Sequence, residues 1–125
     1  MKFHADNFDV PSISGYGPGW VAVSGEKIHH SLVLGARGQR LAWDCSDWDH
    51  LDAAHFDLLA GLDAELVIFG SGSRLRFPRP QWLQGLIVRR IGLETMDTQA
   101  ACRTYNILAG EGRNVVAALL IEPPA

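Results

Sequence analysis

At 125 residues, 47% hydrophobic and 20% charged, with a formal net charge of −3, the chain has the balance of one soluble domain. Such a chain buries roughly two-thirds of its unfolded surface. The negative charge and the lack of a basic run with interleaved aromatics exclude a nucleic-acid partner, and no apolar run nears the roughly 20 residues that cross a bilayer.

Between its glycines the first third alternates apolar and polar residues. This predicts short strands over Ile13–Tyr16, Trp20–Val23, Lys27–His30 and Ser31–Leu34. The pieces YGPGW, SGEK and Ala36–Gln39 supply turns, and Asp44–His50 reads as a polar loop. The period changes at Leu51. Leu51–Leu62 reads as a helix with an acidic start and a stripe of Leu51, Leu58, Leu59 and Leu62. Glu65–Phe69 is an apolar strand of the kind covered on both faces, and Gly70-Ser71-Gly72 ends it.

Pro80–Arg90 reads as a second helix, with proline in the first turn where a missing N–H costs nothing. Gly92–Met96 is a further strand. The helix Thr98–Glu111 follows, capped by Asp97 or Thr98 and stopped at Gly112. At 3.6 residues per turn, Ala101, Cys102, Tyr105, Leu108 and Ala109 share one side, and Gln99, Arg103, Asn106 and Gly110 the other. Val115–Ile121 is a buried strand, closed by Glu122-Pro123-Pro124 because proline cannot donate to a ladder.

Strand–helix alternation over residues 51–121 predicts a single α/β domain over 1–125 with a central mixed or parallel sheet. In it, residues 66–69, 93–96 and 115–121 are neighbouring strands with helices packed on them. The N-terminal strands add a hairpin layer or extend one edge.

Charge is unevenly spread. Residues 1–73 carry ten carboxylates against four basic side chains, whereas residues 74–125 carry seven arginines, no lysine and four carboxylates. Arginine suits bidentate pairing, and the simplest expectation is that several of the seven pair with the acidic half. Gly70-Ser71-Gly72, just past the carboxyl end of a buried strand and followed by Arg74 and Arg76, stands where open α/β sheets hold ligands. It matches neither the dinucleotide fingerprint nor the phosphate loop. On the last helix Arg103, one turn from Asn106, is placed either to clamp a partner's carboxylate or phosphate or to lock the helix through Glu111 or loop carbonyls. The candidate binding residues are therefore Gly70, Ser71, Gly72, Arg74, Arg103 and Asn106.

No catalytic set emerges. Residues 70–74 read GSGSR, not a nucleophile elbow. Cys102 falls on the inward side of its helix, and the two cysteines, Cys45 and Cys102, are too few and too distant for a disulfide framework or thiolate zinc site. His29 and His30 are adjacent, His50 and His55 are five apart, and no metal-ligand spacing results. His55, on the apolar side of its helix, reads as a hydrogen-bonded boundary residue. Neither a metal nor a cofactor is expected.

The chain also resembles a family of small uncharacterised domains. That family includes the mitochondrial assembly factor three of NADH:ubiquinone oxidoreductase (respiratory complex I) and an adipogenesis-associated cytoplasmic protein. The residues that carry the likeness are Gly70-Ser71-Gly72, where relatives have Gly-Thr-Gly, and Met96-Asp97-Thr98 followed by Ala101-Cys102-Arg103-Thr104-Tyr105-Asn106. Leu108, Glu111-Gly112-Arg113 and Val116-Ala117-Ala118-Leu119 extend it. The resemblance implies a three-layer α/β fold with a central mixed sheet, and it brings no activity, cofactor or catalytic residue with it. The start MKFHADNFDV has neither a signal-peptide core nor a presequence character, so a bacterial cytoplasmic member is expected. Together these readings predict a non-enzymatic binding or assembly protein with a protein partner. The alternative is a small anion- or nucleotide-binding enzyme using Gly70–Gly72 with Arg74 or Arg103.

Overall fold

A computed structural model describes residues 10–124. Three short strands, β1 (Ile13–Gly17), β2 (Trp20–Val23) and β3 (Glu26–Ile28), form an antiparallel sheet in the order β1-β2-β3. Then come β4 (Leu32–Gly35), β5 (Arg40–Ala42), α1 (Ala53–Ala60), β6 (Leu66–Gly70), α2 (Gln84–Val88), β7 (Gly92–Met96), α3 (Thr98–Gly110) and β8 (Val115–Leu119). The five later strands make a mixed sheet in the order β5-β4-β8-β6-β7. In it β8 runs parallel to β6 and antiparallel to β4, and β7 runs parallel to β6.

The alternation of β8 explains the layering. Val115, Ala117 and Leu119 face a core shared with Cys102 and Tyr105 of α3 and with Val21 and Ile28 of the small sheet. Val116, Ala118 and Leu120 face a second core with Phe56 and Leu59 of α1, Leu86 of α2 and Trp43. All five residues of β8 are buried, as a strand covered on both faces requires. The predicted neighbours at 66–69, 93–96 and 115–121 are adjacent strands, with β6 between the other two.

Both alternatives for the N-terminal strands are realised. β1–β3 build a separate layer beside α3, while β4 and β5 extend the main sheet. Other details differ from the expectation. β5 lies outside the predicted strands: three residues, RLA, are too few to show a period. The helix read over 80–90 is a 3-10 turn, Pro80–Trp82, followed by the five-residue α2. Gly85 lets α2 approach α1, and a Cβ there would meet Asp57 Oδ1 at 2.9 Å. The leucine stripe of α1 is also corrected. Leu58 is 42% exposed, and Phe56 takes the core position, because Phe56, Leu59 and Ala60 share the inward side.

Side-chain caps set the helix starts. Asp52 accepts from Ala54 N at 3.0 Å, and His55 Nδ1 takes the Asp52 N–H at 3.1 Å, closing a capping box. His55 is thus hydrogen-bonded at the core boundary, with its Nε2 against the Asp44 carbonyl. Asp97 caps α3 by accepting from Ala100 N at 2.9 Å. His29 and His30 are both exposed and lie just past the end of β3. Among the described residues no helix is long and apolar enough to cross a membrane.

A candidate binding cleft at the carboxyl ends of the parallel strands

Parallel β6 and β8 end at Gly70 and Leu119, and α3 begins beside them. That corner carries a cleft of about 810 Å³. One wall is the β1–β2 hairpin with Tyr16 and Trp20; the other is Gly72, Ser73 and Arg76; Thr98 and Glu122 lie between. This is the end of an open α/β sheet at which ligands bind.

Thr98, buried at the start of α3, ties the corner together. Its hydroxyl donates to the Leu120 carbonyl at 2.7 Å and accepts the Gly72 N–H at 2.8 Å, while its own N–H reaches the Gly72 carbonyl at 2.9 Å. Ser71 N–H donates to the Met96 carbonyl at 2.8 Å. The Ser71 hydroxyl donates to the Arg74 carbonyl at 2.7 Å and accepts the Arg76 N–H at 3.0 Å. The N–H groups of Ser71 and Gly72 are therefore committed to partners inside the protein. Gly70 is required by packing, since a Cβ there would sit 3.0 Å from Thr98 Cα and 3.1 Å from Ala101 Cβ.

The most strongly held charge is Arg76. Its guanidinium donates to Glu122 Oε1 at 2.6 Å and to the Ser71 carbonyl at 2.7 Å, and lies 4.9 Å from the centre of the Trp48 ring. Both partners of the pair are about four-fifths buried, at 18% and 21% side-chain exposure. Glu122 Oε2 also accepts the Trp48 N–H at 3.4 Å. Arg76, Glu122, Thr98 and Trp48 were absent from the sequence-predicted set. The sequence does place Arg76 just behind the glycine turn and Thr98 in the signature that opens α3, but nothing local joins either to Glu122 or Trp48.

The predicted residues divide into three groups. Gly70, Ser71 and Gly72 form the buried turn beneath the cleft, and Arg74 is exposed on the loop that follows. Asn106 faces the small sheet, where it bonds both backbone groups of Ile13. Arg103 is exposed and reaches neither Glu111 nor a loop carbonyl; its Nη1 donates to Tyr16 Oη at 2.7 Å. That bond and the proximity of Tyr16 raise the guanidinium pKa further. Several of the seven arginines are expected to pair with the acidic half, but among the described residues only Arg113 does, with Glu65 at 3.2 Å. Arg76 pairs within its own half.

The thiols are poor nucleophiles. Burial pushes both Cys45 and Cys102 up to about 12. A second concavity is lined by His29, His30, Cys45, Ser46 and His50, and Asp47 adjoins it. Ser46 Oγ and Asp47 Oδ1 both meet the same nitrogen, His50 Nδ1, at 3.1 and 2.8 Å. A triad needs the acid and the nucleophile on different ring nitrogens, so this group is no proton relay. Among the described residues no cluster of three or more His, Cys, Asp or Glu is placed to hold a metal ion.

A three-layer α/β sandwich with a mixed five-stranded sheet and a small antiparallel sheet beside α3 is a recognisable class. The chain belongs to the family described as a protein of unknown function, DUF498/DUF598, which matches residues 13–120. It is 32% identical over 114 residues, 90% of its length, to the mouse NADH dehydrogenase [ubiquinone] 1 alpha subcomplex assembly factor 3. The chain spans 60% of that relative's length. An uncharacterised protein of Rhodobacter capsulatus is 36% identical over 115 residues, covering 90% of this chain and 86% of its own. A crystal structure from Bordetella parapertussis superposes with a TM-score of 0.83 at 34% identity, covering 93% of this chain and 97% of the other.

Proposed function

We propose that the chain is a non-enzymatic assembly protein that holds a protein partner, and that this partner belongs to a respiratory NADH:quinone oxidoreductase. The observation that carries the reading is the 32% identity over 90% of the chain to a protein named as an assembly factor of that enzyme. The chemistry of the cleft supports it. The polar groups at the strand ends bond to one another, the thiols are buried and held protonated, and among the described residues no nucleophile–base pair lines the cleft. In this reading Gly70, Ser71, Gly72 and Asn106 support the surface from beneath, and exposed Arg74 and Arg103 meet carboxylates of the partner.

The test is genetic and biochemical. Deleting the gene in its host should deplete fully assembled NADH:quinone oxidoreductase on native gels and leave partial complexes, and the wild-type gene should restore it. Cross-linked capture of the tagged chain should enrich subunits of that enzyme, and Arg74→Glu with Arg103→Glu should lose them. Normal assembly in the deletion strain, with no such subunits captured, would overturn the proposal.

A further inference from the structure

Strand β7 is an edge of the main sheet, and no strand among the described residues pairs with its outer side. The ladder says which groups it presents there. Gly92 N–H donates to the Glu65 carbonyl at 3.1 Å, and the Met96 carbonyl accepts from Ser71 N at 2.8 Å. In a parallel pair alternate residues turn both backbone groups to the same neighbour, so Leu93 and Thr95 turn theirs outward. A sheet edge of this kind is a template for another strand unless something blunts it.

An exposed apolar side chain lies on the helix that packs on β7. Gly85 packs one flank of α2 against Asp57 and Ala60 of α1. On a helix the residue two positions on lies on the opposite flank, which for Ile87 is the side away from α1. Ile87 is 62% exposed, and α2 packs on β7. The charges along the edge are complementary to themselves: Arg90, whose φ of +58° ends the approach to the strand, and Glu94 lie on either side of Gly92.

We infer that β7 is a dimerisation edge, pairing antiparallel with β7 of a second copy of this chain to join the two five-stranded sheets. Charge excludes one register, and the outward backbone groups favour another. Centring the two-fold axis on Glu94 would set two carboxylates face to face, which is destabilising. Centring it on Leu93 pairs the outward backbone groups of the two Leu93 residues. It also sets Glu94 opposite the partner copy's glycine, with the partner copy's arginine on one diagonal and its glutamate, no longer directly opposite, on the other. The exposed isoleucines then cover the seam from the α2 side. A closed two-fold contact of this kind uses the same patch on both copies and stops at two.

Sedimentation velocity on the whole chain, from about 10 to about 200 µM, reads the outcome directly because the assembly follows protomer concentration. The expected mass is twice the 13.7 kDa of the chain. Glu94→Arg should weaken the dimer by about tenfold or more, since it changes two symmetric pairs at once. The swap Arg90→Glu with Glu94→Arg should restore it. Thr95→Pro, which removes only an outward N–H, should give a monomer with an unchanged circular-dichroism spectrum. A wild-type chain that stays monomeric over the whole range overturns the inference. So does a dimer indifferent to both Glu94→Arg and Thr95→Pro.

Discussion

The side-chain amide of Asn106 grips the backbone of Ile13, 93 residues away in sequence, at two points: Oδ1 accepts the Ile13 N–H at 2.9 Å and Nδ2 donates to the Ile13 carbonyl at 2.7 Å. An asparagine on the polar side of α3 thus acts as a substitute strand neighbour for β1. It fastens the small sheet to the main body beside the Tyr105 hydroxyl, which donates to the Pro11 carbonyl at 2.7 Å.

Replacing Asn106 by alanine leaves both backbone groups of Ile13 without a protein partner. The expected loss is roughly 1–3 kcal/mol, several degrees of melting temperature for a domain this size. Asn106→Asp should fare no better, because it loses the donor and sets a carboxylate against a carbonyl. Amide exchange at Ile13 should accelerate in both variants more than exchange in β8. An unchanged melting temperature in Asn106→Ala would show that the grip adds nothing.

Arg103→Ala tests the opposite case. The side chain is exposed, and its partner is the Tyr16 hydroxyl, which water replaces without penalty. The melting temperature should move by less than about 2 °C. Arg103→Lys and Tyr16→Phe should be equally mild. A shift of several degrees would mean that the Arg103–Tyr16 contact holds α3 to the small sheet.

The buried thiols make a pH prediction. Desolvation lifts Cys45 and Cys102 from 9.0 to about 12 in the folded protein. The unfolded chain ionises them near 9.0, so it binds fewer protons above that pH. Stability from this source is complete below about pH 9 and is lost as the pH rises towards about 12. Urea midpoints should therefore fall between about pH 8 and about pH 11, less steeply in Cys45→Ala with Cys102→Ala. Iodoacetamide should label neither thiol in the native protein and both in denaturant. Rapid native labelling of Cys102 would contradict its burial.

What the sequence makes legible follows from how local each signal is. The cap of α3, at the first of its two candidates, the buried side of α3 with Ala101, Cys102, Tyr105 and Ala109, and the apolar run of β8 are each written within one turn or one strand and stand where the pattern puts them. Asn106, by contrast, leaves the outward polar face for the small sheet. The residues around the cleft are joined at long range. Arg76 and Glu122 lie 46 residues apart, and Thr98 reaches Gly72 and Leu120 from 26 and 22 residues away. No local period encodes such pairs. α2 is shorter than its pattern for a related reason: the apolar residues around it satisfy a helical period, but Gly85 is there for the approach of α1, and Arg90 with φ of +58° turns the chain into β7.

Gly72 tests the cleft corner most sharply, because two effects meet there and a control separates them. Its φ of +99° is one that side chains rarely adopt, and an added Cβ would run into the Arg76 guanidinium and the Glu122 carboxylate. Gly112 after α3 has a φ of +84° and nothing within 4 Å of an added Cβ, so Gly112→Ala carries backbone strain alone. Such strain is of order 1–3 kcal/mol. Gly72→Ala should cost that and more, since it also pushes apart an ion pair that is four-fifths buried. In a Glu122→Ala background the steric part is relieved on one side, so the two substitutions should cost less together than the sum of each alone. Denaturant titrations of the four proteins in that cycle decide it. If Gly72→Ala costs no more than Gly112→Ala, or if the cycle is additive, the Arg76–Glu122 pair does not hold the turn against the end of β8.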